Sequence, residues 1–335
     1  MISQEIVSRA IHYEGPERLP VLMGSLGVSD VDGIAVQPAP GWEPVEDGAD
    51  EWNCVWSQTE QHNMGQVTGH PLEDLSDLDD YEPPSFHHDE RYDGCEEKLD
   101  RIEEEGKYAR CGIFMVMFER MHSLHGFENT LMDLYSAPER LEELADMIAD
   151  THVSLVEEVS RRFPGRIDGW NMSDDWGTQQ SSFISYEKWM EFFYPRYKRI
   201  FDAMHEAGCD VWVHSCGKIN DIIQVYIRAG VDVVNLQQPR VLGIQEIAER
   251  YRGDIAFESL SDIQSTLPTG DPEKIEADAE ALMTHWAGPD GGFLFSGYGD
   301  DEAIGVDDEK VKPMMYSAFS RYSEQVYGQP LPPIE

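Results

Sequence analysis

From Tyr108 onward, short apolar runs alternate with helix-length amphipathic segments, and this pattern constrains the fold more than any other feature of the chain. Cys111–Phe118 is a continuous apolar run, as expected of a strand covered on both faces. Residues 138–162 carry Leu141, Leu144, Ile148, Val153 and Val156 at helical spacing, with Pro138 where a helix start tolerates it. Strands then read at Ile167–Met172, Asp210–His214, Val231–Asn235, Asp254–Phe257 and Gly292–Phe295. Helices read at 186–207, 219–229, 244–251, 272–286 and 308–326, the first two of these stopped by Gly208 and Gly230. Repeated strand–helix units of this kind imply parallel strands.

Ahead of this region, residues 3–13 read as a helix and Leu19–Gly24 as a buried strand. Residues 25–107 are rich in Gly, Pro and Asp and read as a large insertion after the first strand. Within it Glu51–Trp56 and Gln66–Thr68 can pair as a hairpin. Seven strands are visible, and an eighth can hide in 25–107. Polar residues follow almost every strand, which favours a closed barrel, where strand ends converge on one face. The expectation is one domain over 1–335, a (β/α)8 TIM-type barrel.

Sixty-five acids against 25 Lys and Arg give a formal charge of −40, spread along the whole chain. Such a field repels nucleic acid and anionic membranes. A solvated acidic surface of the halophilic type accounts for it, and Arg outnumbers Lys in keeping with that. No run of about 18 apolar residues exists, and Met1–Ala10 lacks the apolar stretch of a signal peptide, so a cytoplasmic protein is expected. Five scattered cysteines read as free thiols or a metal ligand, not a disulfide framework.

The candidate site residues follow the strands: Glu119; Asn171, Asp174, Asp175 and Trp176; His214 and Cys216; Asn235, Gln237 and Gln238; Glu258, then Asp262; and Tyr298. His214 and Cys216, two apart at a strand end, point the same way. Imidazole and thiolate together suit Zn²⁺; a polar strand end with a buried thiol is the other reading. Third ligands are available in Glu258, which is taken first, and in Asp262, Asp175 and Glu119. Glu119 follows an apolar run and needs a partner, for which Arg120 is one choice. His122 and His125 offer an alternative metal site.

The segment Val213-His-Ser-Cys-Gly-Lys-Ile-Asn-Asp-Ile-Ile-Gln, followed by Gly230-Val-Asp-Val-Val-Asn-Leu-Gln-Gln-Pro, resembles the uroporphyrinogen decarboxylase (URO-D) superfamily. Asp174-Asp-Trp-Gly-Thr-Gln, Ser261-Asp-Ile-Gln and Leu267-Pro-Thr-Gly-Asp-Pro add to the resemblance. It implies either of two branches. In the cobalamin-dependent, coenzyme M type methyltransferases a His-x-Cys pair and a distant Cys hold zinc, which activates a thiol while a corrinoid protein carries the methyl group. His214 and Cys216 match that pair, and Tyr298 stands where the distant Cys would be. In the decarboxylase branch an Arg-rich N-terminal loop receives the porphyrinogen carboxylates, whereas Met23–Asp30 holds no arginine. The resemblance therefore implies a zinc-assisted methyltransferase or demethylase acting on a small methylated compound, with a corrinoid protein or thiol as methyl partner. Glu119, Asp175 and Tyr298 are then catalytic. Asn171, Trp176, Gln179, Asn235, Gln237 and Gln238 bind substrate, and His214, Cys216 and Glu258 hold the metal. Uroporphyrinogen decarboxylation and non-catalytic binding on the same barrel are the alternatives; a homodimer is compatible with each.

Overall fold

The structure, a computed structural model, describes residues 1–58, 65–306 and 308–334. Its centre is a nine-stranded sheet rolled into a barrel. In chain order the strands are β1 (Val21–Met23), β2 (Val28–Ser29), β3 (Val31–Ile34), β4 (Val55–Ser57), β5 (Gln66–Gly69), β6 (Tyr108–Ile113), β7 (Gly169–Ser173), β8 (Asp210–His214), β9 (Val233–Asn235), β10 (Ala256–Ser259) and β11 (Phe293–Ser296). In the sheet they run β2-β1-β11-β10-β9-β8-β7-β6-β3. Every pairing from β1 round to β3 is parallel, and only β2 is antiparallel, to β1. The TIM-type barrel read from the sequence is the observed fold.

The two edges of the sheet, β2 and β3, are consecutive in the chain and meet at Asp30, which closes the cylinder. The backbone N–H of Asp30 donates to the Val21 carbonyl at 2.8 Å, and its carboxylate accepts from the Val21 N–H. Arg18 grips the same carboxylate through both terminal nitrogens, at 2.7 and 2.6 Å. The pair is buried, and its fork geometry with the added backbone donor offsets the desolvation of two charges.

β3 is the eighth strand that the sequence left hidden, so the irregular stretch begins after it. The hairpin expected between Glu51–Trp56 and Gln66–Thr68 forms as β4 and β5, antiparallel. Residues 59–64 of the expected insertion lie outside the described residues. The apolar run Cys111–Phe118 divides: β6 ends at Ile113, and a helix begins at Phe118 and runs to His125. Met115, at φ 61°, breaks the strand between them. A short apolar run fits a buried strand or a buried helix start equally well, and the tertiary contact described below decides.

Alternation sorts the barrel residues by face. On one face Cys111, Trp170, Val213, Val234, Phe257 and Phe295 pack outward under the helices in the main core. On the lumen face, Leu22, Val31, Tyr108, Trp212, Val233, Ala256 and Leu294 form a separate apolar cluster with Val7 and Ile11 of the Ser3–Ile11 helix. That helix plugs the N-terminal end of the barrel. All five cysteines are unpaired. Among the described residues no helix is long and apolar enough to cross a membrane.

Candidate active site at the barrel mouth

Two adjacent aspartates take opposite roles because the chain leaving β7 is extended. Asp174 points inward and is fully buried. Its carboxylate accepts from the backbone N–H groups of Met117, Phe118 and Glu119, at 3.1, 2.9 and 2.7 Å, and from the Tyr197 hydroxyl. It therefore caps the Phe118–His125 helix from another unit of the barrel. Burial raises its pKa, and the Tyr197 hydroxyl with the Glu119 and Phe118 N–H groups opposes that rise in part. A group that only accepts from four donors is held as the carboxylate.

This cap delivers Glu119 to the mouth. Its Oε2 accepts from the Ser173 hydroxyl at 2.6 Å. Burial first, then the charges of Asp175 and Asp174, raise its pKa, so Glu119 is the carboxyl that holds a proton near neutrality. Arg120, the partner the sequence suggested, turns away to Asp50 at 3.2 Å and stacks over Trp52.

Asp175 points outward to the loop after β8. Its Oδ1 accepts the Cys216 N–H at 2.7 Å and lies 3.6 Å from Nε2 of His214. Nε2 of His214 is in turn 3.3 Å from Sγ of Cys216. These three ligand atoms all lie within 4.8 Å of one another. On the far side of the ring, Nδ1 of His214 is 2.6 Å from Oδ1 of Asn235. An amide oxygen only accepts, so Nδ1 carries the hydrogen and Nε2 presents its lone pair to the cluster. Thiolate, imidazole with an outer hydrogen-bond partner, and carboxylate form a donor set that fits Zn²⁺ with one position left open. Burial, and then the Asp175 and Glu119 charges, push the Cys216 thiol far above its ordinary range. A cation is the natural counterweight to that concentration of negative groups.

The loops carrying these ligands are locked by glycines. Gly217 sits at φ 84°, and a Cβ there would lie 2.2 Å from the Gly177 carbonyl oxygen. The Lys218 N–H donates to the Thr178 carbonyl at 2.8 Å beside this contact.

Not every expected residue reaches the cluster. Glu258, expected as the third ligand, lies in the lumen 3.9 Å from Arg110, and Asp175 occupies the place it was given. Asp262 accepts from Gln264, Ser265 and Arg240 backbone N–H groups and so shapes its own loop. Trp176 is fully buried, stacked on Phe118 with its indole N–H on Tyr197. It supports the mouth from below and does not face it. Gln179 donates to Gln238 at 2.9 Å, and Gln238 also accepts from the Gly217 N–H. This pair braces the ligand loop. Gln237 is half-buried, and its carbonyl accepts from Ile263. Tyr298 is half-buried near the cluster; burial, then the charges of Cys216 and Asp300, raise its pKa. Asn171 is exposed inside the barrel. His125 is tied to the Leu72 carbonyl and Asp133, away from the cluster, so the His122–His125 alternative does not assemble.

A cavity of about 530 Å³ opens against Glu119 and Asp175. Its walls are Met115, Phe127 and Phe183 with Trp56 and Val67 of the β4–β5 hairpin, and its polar groups are mainly His70, His122 and the two carboxyls. Among the described residues no Lys or Arg lines it. Burial and the neighbouring His70 lower the His122 pKa to about 4, so that imidazole is neutral. His70 and the hairpin contribution were missed from sequence, since nothing in their spacing ties them to a strand end.

Known proteins similar in fold or sequence are low in identity but cover most of the chain. A methyltransferase from Methanosarcina mazei superposes with a TM-score of 0.69 at 14% identity, over 96% of this chain and 99% of that one. D-psicose 3-epimerase gives a TM-score of 0.43 at 11% identity, over 76% of this chain and 87% of that one. Mannonate dehydratase from Streptococcus suis gives 0.39 at 12%, over 81% and 95%. No curated protein sequence matches significantly. The sequence profile of uroporphyrinogen decarboxylase (URO-D) matches residues 59–318. The chain belongs to the uroporphyrinogen decarboxylase family.

Proposed function

We propose that the protein is a zinc-assisted methyltransferase or demethylase acting on a small methylated compound, with a corrinoid protein or a thiol as methyl partner. The observation that carries the reading is the convergence of His214 Nε2, Cys216 Sγ and an Asp175 oxygen within 4.8 Å at the barrel mouth. The likeness of fold to a methyltransferase is consistent with it.

Bound there, Zn²⁺ would supply Lewis acidity to a thiol or to the heteroatom that carries the methyl group. The protein's own groups do the rest. Asn235 fixes the His214 ring and its tautomer. Glu119 keeps a proton at the cavity wall, positioned by Ser173. In the demethylating direction the carbon–heteroatom bond breaks with its electron pair left on the heteroatom, which takes the Glu119 proton. The acceptor, a reduced corrinoid or a thiolate, supplies the pair for the new bond to carbon. Phe127, Phe183 and Met115 exclude water from that exchange. A cavity lined, among the described residues, by no Lys or Arg disfavours the polycarboxylate of the decarboxylase branch.

The test is metal analysis of protein purified from zinc-supplemented cells, beside His214→Ala, Cys216→Ser and Asp175→Asn. One zinc per chain in the wild type, and its loss in the first two variants, is expected. Methyl transfer from methylcobalamin to a thiol panel, followed by the cobalamin spectrum, then reports the reaction. Metal-free wild type would end the reading.

A further inference from the structure

In a barrel of this kind layers of side chains close the interior, and here the layers above the apolar floor are built of small and polar residues. Above the apolar floor the lumen-facing residues are Gly33, Arg110, Gly112, Asn171, Glu258 and Ser296. Two of them are glycines. Gly112 and Asn171 are exposed although they pair with each other across β6 and β7, and Asn171 pairs with Trp212 of β8 on its other side. A polar well therefore descends from the metal-ligating cluster toward the plug.

The groups at its base are unspent. Arg110 lies over the Trp212 ring, its guanidinium 4.8 Å from the centroid, and 3.9 Å from Glu258. That separation is an ion pair without a hydrogen bond. The Arg110 Nε and the Ser296 hydroxyl are buried with no partner among the described residues. Native interiors rarely leave such groups unmatched, and a ligand is one explanation of those that remain. In register Glu258 stands beside Asn235, which holds His214, so the well and the cluster are contiguous.

We infer that this well is a subsite for a zwitterionic head group, a carboxylate received by Arg110 and an ammonium received by Glu258, in a substrate whose other end reaches the His214–Cys216 cluster. A purely anionic head group would satisfy Arg110 but face the Glu258 charge at close range; a cationic one meets the reverse. Only a group with both charges matches both partners in a low-dielectric chamber. The inference rests on the barrel mouth being the substrate site, and not on metal or methyl transfer.

Calorimetric titration of the wild type and of His214→Ala with three probes tests it: S-methyl-L-cysteine, 3-(methylthio)propionate and 2-(methylthio)ethylamine. The amino acid is expected to bind both proteins at least about tenfold more tightly than either truncated probe, as loss of one charged hydrogen bond implies. Arg110→Gln should erase its advantage over the amine and Glu258→Gln its advantage over the acid. Arg110→Lys, which keeps the charge if Arg110→Gln fails to fold, should retain part of it. Equal binding of all three probes, no binding to folded wild type, or variants that bind as the wild type does would overturn the subsite. A metal-free wild type that still discriminates among the probes would end the methyl-transfer reading and leave this one standing.

Discussion

Asn235 on β9 accepts from His214 on β8 at 2.6 Å, so a neighbouring strand dictates which imidazole nitrogen faces the cluster. Removing that acceptor frees the ring to rotate and to change tautomer. Asn235→Ala is expected to weaken zinc affinity about 10–100-fold, while Asn235→Asp, which still accepts, keeps it. Competition against a zinc-chelating dye measures both. Equal affinity in the alanine variant would show that the hydrogen bond does not prepare the ligand.

The neighbouring carboxyls Asp174 and Glu119 should separate stability from activity. Asp174→Ala leaves three buried N–H groups and the Tyr197 hydroxyl without their acceptor, and should cost about 3–5 kcal/mol in urea unfolding. Glu119→Gln keeps the shape and the Ser173 contact. It should change stability by less than about 1 kcal/mol and lower turnover about 100-fold or more. A Glu119→Gln enzyme with full turnover would remove Glu119 as the proton donor.

Gly217→Ala places a methyl group against the Gly177 carbonyl oxygen in a backbone conformation that disfavours a side chain. The contact is with backbone and has no rotamer to yield. A loss of about 2 kcal/mol or more is expected, with reduced metal content because Cys216 is the preceding residue. Thermal denaturation and metal analysis of the same preparation read the two effects.

Two buried histidines should lose their contribution to stability on mild acidification, while Glu119, its pKa raised, contributes in the opposite sense as it takes up its proton. His152 is buried, and burial followed by the Arg120 charge lowers its pKa from 6.5 to about 3; His122 is lowered to about 4. Both are neutral in the folded barrel and take a proton on unfolding once the pH is below about 6.5. Their contribution is therefore complete above that pH and drains as pH drops toward 4, by about 1.4 kcal/mol per pH unit for each group. His152→Phe should lower the slope of unfolding free energy against pH between pH 6.5 and 5. An unchanged slope would assign the acid sensitivity elsewhere.

With 65 acids and 25 Lys and Arg, self-repulsion is strongest in dilute buffer. The melting temperature should rise by about 5 °C or more between dilute buffer and molar potassium chloride. A flat response would mean that the acids are already balanced by local ion pairs.

The strand ends were legible in the sequence because polar residues stand out after apolar runs, and that brought His214, Cys216, Asp175 and Glu119 into one list. What local pattern does not hold is which acid meets the imidazole. Asp175 and Glu258 each end a strand, and only barrel stagger decides that the first reaches Nε2 while the second faces Arg110. Arg110 does not stand out because the apolar run begins only at Cys111, after the alternating Tyr-Ala-Arg. Val31-Asp-Gly-Ile was too short and polar to read as a strand. The helix at Phe118 was hidden because its cap, Asp174, comes from 56 residues further along the chain.

The Ser3–Ile11 helix, with Val7 and Ile11 pressed against the barrel floor, makes the chamber blind-ended. A chamber with a single door imposes a queue. Under the methyl transfer proposed above, a compound seated deep inside would be sealed in once a bulky methyl carrier docked over the opening, and the demethylated product would depart only after that carrier withdrew. The kinetic order of two such partners would then be set at the far pole of the molecule, away from the chemistry.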